Sequence, residues 1–271
     1  MAASDLTTLA NVKAWLGVSN GTQDAVLSRL ISAASAQIRT ITNRYNFYTT
    51  TLTEVRDGTD TRDLVLMNWP VLSVSSVIIN NAVVEKGSYS GEHNLQTAGW
   101  FLQPYEGFAP GVPQKISLIN WSFLRGKQNI RVTYTYGYQA QDTVAITNEP
   151  YTVQALQGSW MGDVSVTDTV SGVIYTCVAA NPGPLQYSVE NGVYTFNEVN
   201  AGVVVDINYN YIPFDLEQAC IDLVAYKQVQ ATRIGIRSKS LLGKESVAYD
   251  PSGIPDTIMS ALEPYINRMI L

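Results

Sequence analysis

The 271-residue sequence contains two cysteines and one histidine, and this scarcity removes several chemistries at once. Cys177 and Cys220 lie too far apart for a metal knuckle or a redox pair. Both are expected as buried free thiols, Cys220 on the apolar side of a helix. His93 sits in the polar stretch "SGEHN", so no multi-histidine metal site exists and the residue reads as a solvated loop histidine. No run approaches the roughly 20 consecutive apolar residues of a membrane span. The opening "MAASDLTTLA" carries neither a basic nor an apolar signal region. A soluble protein made in the cytoplasm, with no membrane partner, is the expectation. No glycine-rich loop opens a helix to cradle phosphate, so nucleotide-dependent enzymes drop out and no cofactor is expected.

Charge is also sparse, at 15% of residues with a net of −6, and it is unevenly placed. Residues 139–213 hold Asp142, Glu149, Asp163, Asp168, Glu190, Glu198 and Asp206 and no Lys or Arg. All 17 bases therefore fall elsewhere, and the rest of the chain is close to neutral. A shift that abrupt reads as a module boundary.

What is present is a folded composition, 46% hydrophobic, whose periodicity changes along the chain. Leu6, Leu9, Val12 and Leu16 recur at helical steps behind an Asp5 cap, and Gly17 closes the pattern, predicting a helix over about 5–16. Val26, Leu27, Leu30, Ile31, Ala34, Ile38 and Ile41 predict a second over about 22–44. From Tyr45 to Tyr138 the period becomes two. "TLTEVRDG" is expected to meet "TRDLVLMNWPV" across an Asp57-Gly58 turn, and "VSSVIINNAVV" to turn at Asn80-Asn81. In "NIRVTYTYGY", Val132, Tyr134, Tyr136 and Tyr138 share a face. The acidic module is strand-like too, and "GVVVDINYNYI" echoes that last strand, as an insertion into a β-turn would. Helical steps return with Leu216, Ala219, Cys220, Leu223 and Val224 over about 214–234, Asp215 suiting the dipole at the start. A last helix over about 255–269 carries Ile258, Met259, Leu262, Tyr265, Ile266 and Met269, and Pro264 in its middle should kink or divide it.

Three stretches suggest chemistry. "GVSNG", residues 17–21, is a literal G-x-S-x-G, with Asp57, Asp60 or Asp63 and His93 following in hydrolase order. A nucleophile elbow needs a strand entering and a helix leaving, whereas here a helix enters, so a helix-helix linker is the better reading. "DGTDTRD" could attract Ca²⁺ but lacks the EF-hand spacing and contains Arg62, which favours a turn. Lys227, Arg233, Arg237, Lys239 and Lys244 form a basic run with no acid among them. It is too small for sequence-specific DNA recognition and reads either as a solvated helix end or as a docking surface for an acidic partner or phosphate. No metal site and no catalytic residue are assigned.

Three blocks together resemble a known family. They are "LISAASAQIRTITNRYNF", "TLTEVRDGTDTRDLVLMNWPVLSVSSVIIN" and the C-terminal "IPFDLEQACIDLVAYKQVQATRIGIRSKSLLGKESVAYDPSGIPDTIMSALEPYINRMI". In this order, with the "G-I-x-S-K-S-L" loop, they resemble the head-to-tail connector (adaptor, head completion) proteins of tailed bacteriophages. The resemblance implies a non-enzymatic virion protein in the neck, made in the host cytoplasm. It implies a homo-oligomeric ring, typically a dodecamer, beneath the portal protein. Such a ring extends the DNA channel used in genome packaging and offers a platform to a neck, stopper or tail-terminator protein. Double-stranded DNA would pass through it without sequence reading. Twelve copies at −6 would carry about −72, and like charge lets duplex slide rather than stick. The implied fold class is α+β: a helical adaptor core of about four helices with β-hairpin excursions, residues 1–138 and 213–271. Residues 139–212 would be an inserted acidic all-β domain, absent from shorter members. Arg237, Ser238, Lys239, Ser240, Leu241, Lys244, Tyr265, Arg268 and Leu271 are the candidate portal, inter-subunit or channel contacts. An attachment or decoration protein whose β-domain binds glycan or capsid is the alternative.

Overall fold

The computed structural model describes residues 5–90, 95–104, 112–231, 238–241, 245–248 and 253–268. The chain divides into two units, one running to Asn46 and resuming at Pro213–Arg268, the other spanning Phe47–Ile212.

The first unit is built on four helices, α1 (Leu9–Leu16), α2 (Asp24–Thr42), α3 (Phe214–Ala231) and α4 (Asp256–Leu262). Thr8, not Asp5, caps α1, its side chain accepting from the Asn11 N–H, while Asp5 itself is buried. Gly17 takes the left-handed conformation at φ 67° and ends the helix. On α2 the buried stripe is Leu27, Ile31, Ala34, Ser35, Ile38 and Thr42, and Val26 at its flank stays exposed. Asn43, also left-handed, closes α2. Leu216, Ala219, Cys220, Leu223 and Val224 of α3 and Ile258 and Leu262 of α4 complete the buried set. Of the two outcomes expected at Pro264 the structure shows the division: α4 stops at Leu262 and a 3-10 turn, Glu263–Tyr265, carries the proline. Ile234 and Met269, at the expected ends of the third and fourth helices, lie outside the described residues.

Among its described residues the second unit has the strands β1 (Thr50–Gly58), β2 (Asp63–Val65), β3 (Val71–Ile79), β4 (Ala82–Val84), β5 (Tyr89–Ser90), β6 (Leu95–Gln96), β7 (Gly99–Gln103), β8 (Lys115–Ile119), β9 (Gly126–Tyr136), β10 (Gln139–Ala145), β11 (Thr152–Gln154), β12 (Ser159–Asp168), β13 (Thr176–Cys177), β14 (Gln186–Glu190), β15 (Val193–Phe196) and β16 (Val204–Ile212). One sheet runs β1-β9-β3-β4 and a second β10-β16-β12, so the two Tyr-rich strands that echo one another in sequence are each the central strand of a sheet. The alternation explains this: Val132, Tyr134 and Tyr136 of β9, and Val205, Ile207 and Tyr209 of β16, are all buried, and only a strand flanked on both sides hides such a row completely. Asn80 (φ 50°) and Asn81 (φ 65°) form the expected tight turn, with Ile79 opposite Ala82. The Asp57-Gly58 hairpin does not form. Instead β1 pairs with β9 and β2 pairs with β8, because the inward residues of β1 match the face of β9.

The helical adaptor core with hairpin excursions is therefore not the fold. Among the described residues the strands dominate, and the helices belong to a separate, smaller unit. The reason lies in apolar weight. Fourteen buried residues from Leu64 to Tyr136 form one cluster, and ten from Ile146 to Tyr209 form another.

Gly137, between β9 and β10, has φ 133°, and a Cβ there would sit 2.6 Å from the Thr49 backbone. The backbone conformation alone should cost an alanine roughly 1–3 kcal/mol. Gly137→Ala is thus expected to lower the urea midpoint clearly, while Gly172→Ala, with φ 71° but open space around it, loses only the conformational part. Equal losses in the two variants would contradict the packing argument.

Candidate functional site

The residues that suggested chemistry are mostly occupied by their neighbours. Ser19 lies in an exposed bend between α1 and α2, with helix on both sides and no strand entering. His93 lies outside the described residues. The three aspartates of "DGTDTRD" diverge: Asp57 pairs with Lys127 at 2.7 Å and Asp63 with Lys115 at 2.7 Å, while Asp60 Oδ1 accepts from the Arg125 N–H at 2.7 Å. The Lys127 hydrogen bond holds Asp57 below the usual carboxylate range, and the Lys115 and Ser117 bonds do the same for Asp63. Both cysteines are free. Cys220 is buried, and burial pushes its thiol up to about 12, but Cys177 is exposed on the short strand β13, contrary to the expectation that both are buried.

Of the basic run near the C-terminus, Lys227 lies on α3 and Lys239 on an antiparallel strand pair, β17 (Ser238–Leu241) with β18 (Glu245–Ala248), in which Ser238 faces Ala248 and Leu241 faces Glu245. The candidates Ser238, Lys239, Ser240 and Leu241 lie on β17, whereas Arg233, Arg237, Lys244 and Leu271 fall outside the described residues. Tyr265 is buried within the first unit, where its hydroxyl donates to Asp215 Oδ1 at 2.6 Å. Arg268 is exposed and pairs with Glu263. A second carboxylate of this unit is also hydrogen-bonded: Glu217, buried on α3, accepts at Oε1 from the Thr7 hydroxyl at 2.9 Å and from Asn11 Nδ2 at 2.7 Å.

In the second unit, buried carboxylates meet tyrosine hydroxyls. Glu54 accepts from the Tyr134 hydroxyl at 2.8 Å, the Met67 N–H at 3.1 Å and Arg56 at 2.8 Å. Asp142 accepts from the Tyr209 hydroxyl at 2.6 Å and the Leu156 N–H at 2.9 Å. Asp163 accepts from Tyr187 at 2.5 Å and Tyr194 at 3.1 Å, and Trp160 Nε1 donates to Tyr194. The last two clusters lie in the stretch that lacks Lys and Arg, so a neutral O–H does there what a cation does beside Glu54. Burial raises all four phenols, Tyr209 to about 12 and Tyr134, Tyr187 and Tyr194 further, each reinforced by its carboxylate. Groups held this way brace strands; they are poor proton acceptors and poor nucleophiles at neutral pH.

The first unit has shallow concavities beside α2 (Ala36, Arg39, Thr40, Asn43, Arg44 and Tyr45) and on α4 (Asp256, Met259, Ser260 and Glu263), and the second unit has two of interest among the described residues. An apolar one of about 630 Å³ is lined by Leu72, Val74, Trp100, Phe101 and Leu102, with Lys86 Nζ 5.8 Å from the Trp100 ring. A polar one of about 250 Å³ lies between the Asn80-Asn81 turn and the start of β9. The sequence reading missed the second, although "RGKQNIR" places Arg125, Lys127 and Arg131 within seven residues without an acid.

Residues 5–106 match the model of the head completion protein family. The resemblance to head-to-tail connector and head completion proteins read from the sequence is thus shown over that stretch. No curated protein matches the chain. Two solved structures are similar in outline. One is titled "Neck of native GTA particle computed with C12 symmetry", at 13% identity and TM-score 0.42, covering 100% of this chain and 93% of that one. The other is titled "Neck of empty GTA particle computed with C6 symmetry", at 15% identity and TM-score 0.34, covering 98% and 92%. No helix among the described residues is long and apolar enough to cross a membrane.

Proposed function

We propose that the protein is a structural head-to-tail connector of a phage-type particle. In this reading it assembles as a ring, twelve-fold in keeping with the resemblance, beneath the portal protein. The ring continues the DNA channel and presents a platform to a neck, stopper or tail-terminator protein. The match of residues 5–106 to head completion proteins is the observation that carries this reading. Residues 139–212 are read as an insertion, supported by Gln139 pairing with Asn210 where the segment leaves and returns, and by its own buried cluster. Arg237, Ser238, Lys239, Ser240, Leu241, Lys244, Tyr265, Arg268 and Leu271 are the proposed contacts.

Native mass measurement and negative-stain microscopy of the protein, alone and mixed with its portal, test the reading. Closed rings, alone or seated on the portal, are expected; a monomer that never joins the portal overturns it. Lys239→Glu combined with Lys244→Glu should reduce incorporation into heads at least severalfold while leaving the circular dichroism spectrum unchanged. Full incorporation of that variant would remove these two lysines from the docking surface.

A further inference from the structure

We propose that the polar notch between the Asn80-Asn81 turn and the start of β9 is a preformed site for a phosphate group. The cavity, about 250 Å³, is lined by Ile78, Asn80, Asn81, Lys127, Gln128, Asn129 and Arg131. Its chemistry follows from one chain of hydrogen bonds. The Gly58 N–H, necessarily a donor, points at one side-chain end of Asn129 (2.9 Å), which must therefore be its oxygen. The other end of Asn129 is then the amide NH₂, and it donates to the Leu124 carbonyl at 2.8 Å and to Asn80 at 2.9 Å. Asn80 consequently turns its oxygen to Asn129, and its own NH₂ is left as a donor at the notch. None of the hydrogen bonds among the described residues takes that NH₂.

The charges point the same way. Two carboxylates lie at this end of the sheet: both oxygens of Asp57 are occupied, one by Lys127 Nζ at 2.7 Å and the other by the Gln128 N–H at 2.7 Å, and Asp60 accepts from the Arg125 N–H at 2.7 Å. Arg131 is exposed on the outer face of β9, opposite Val55 on one side and Ile78 on the other, and makes no ion pair among the described residues. A guanidinium with apolar cross-strand neighbours, an oriented amide NH₂ and a lysine beyond them form a donor-rich recess that suits a tetrahedral oxyanion. The recess is also rigid. Asn80 and Asn81 hold the positive φ of a tight turn, and Asn129 is fixed by its hydrogen bonds to the Gly58 N–H, the Leu124 carbonyl and Asn80, with Gly126 leaving the room its side chain occupies. A site built before the ligand arrives loses little to ordering.

The phosphate could belong to free inorganic phosphate or to the backbone of a nucleic acid, and the experiment separates the two. The full-length protein is titrated with sodium phosphate at constant ionic strength while backbone amide resonances are followed. In a second arm a short duplex DNA is titrated and read by fluorescence anisotropy. Saturable shifts confined to residues 78–81 and 126–131 are expected, with binding at least about tenfold weaker in Arg131→Gln, the loss of one charge-assisted contact. Lys115→Gln, remote from the notch, should bind as the parent does. Duplex binding that falls with Arg131→Gln, with a salt slope smaller by about one, assigns the phosphate to nucleic acid. Phosphate binding without duplex binding assigns it to the free ion. The proposal is overturned if neither ligand binds, if Arg131→Gln binds as the parent does, or if acetate competes as well as phosphate.

Discussion

Glu54→Leu should be among the most damaging single substitutions in the second unit. Glu54 sits on β1 with about 5% of its surface exposed, and it takes hydrogen bonds from the Tyr134 hydroxyl, the Met67 N–H and Arg56. Leucine fills the volume but offers no acceptor. Arg56, about a quarter exposed, can turn to water, whereas Tyr134 is fully buried and Met67 donates through a fixed backbone N–H. Each buried donor left without an acceptor costs about 1–3 kcal/mol, so two place the loss at roughly 2–6 kcal/mol. Glu54→Gln keeps one carbonyl oxygen and should lose distinctly less. Combining Glu54→Leu with Tyr134→Phe should cost less than the two losses added together, since removing the hydroxyl relieves one of the stranded donors. Urea unfolding followed by tryptophan fluorescence reports this directly, because Trp69 and Trp100 are buried in the same unit. A Glu54→Leu midpoint equal to the parent's would show that Glu54 is not a structural brace.

Much of this was legible from local pattern. The helical stripes of α2 and α3 and the Asn80-Asn81 turn are fixed by spacing and by residues tolerant of positive φ, and both are properties of neighbouring residues. The resemblance was legible from "LISAASAQIRTITNRYNF" and the block after it, within the stretch that the family model covers. Strand partnership was not. "TLTEVRDG" and "TRDLVLMNWPV" are adjacent in sequence, but Thr50 pairs with Tyr136, 86 positions on, because a central strand recruits whichever edge shares its inward face. The same blindness hid the notch. Asn80 and Asn129 are separated by 49 residues, and a basic run looks like a solvated turn until its neighbours show that the nearby acid is already engaged. It also produced the wrong fold class. Family likeness weighted the helices at the two ends, while the buried apolar mass lay in the Tyr- and Val-rich strands between them.

Alkaline pH should unfold the second unit at its carboxylate–tyrosine braces, and the sign follows from the phenols. The ordinary tyrosine value is 10.0; burial, reinforced by the Asp142 hydrogen bond, pushes Tyr209 up to about 12. Tyr134, Tyr187 and Tyr194 move in the same direction, again chiefly through burial. Between these values the unfolded chain has released its phenolic protons while the folded chain retains them. The folded state then binds more protons, and stability falls as pH rises. The contribution is complete below about pH 10 and is lost as pH climbs through about 12 and beyond. A spectrophotometric titration should therefore show two classes among the 16 tyrosines. One class ionises first with the fold intact, and the braced group ionises later, together with loss of the β-sheet circular dichroism. Tyr187→Phe removes one of these protons, so its urea midpoint should fall less between about pH 8 and about pH 11 than the parent's, even though it loses its bond to Asp163. If all the tyrosines titrate as one class near their ordinary value while the sheet signal persists, the hydroxyls are not held by Glu54, Asp142 and Asp163. Strand packing alone would then have to account for the folding of a segment that has seven acids and no base.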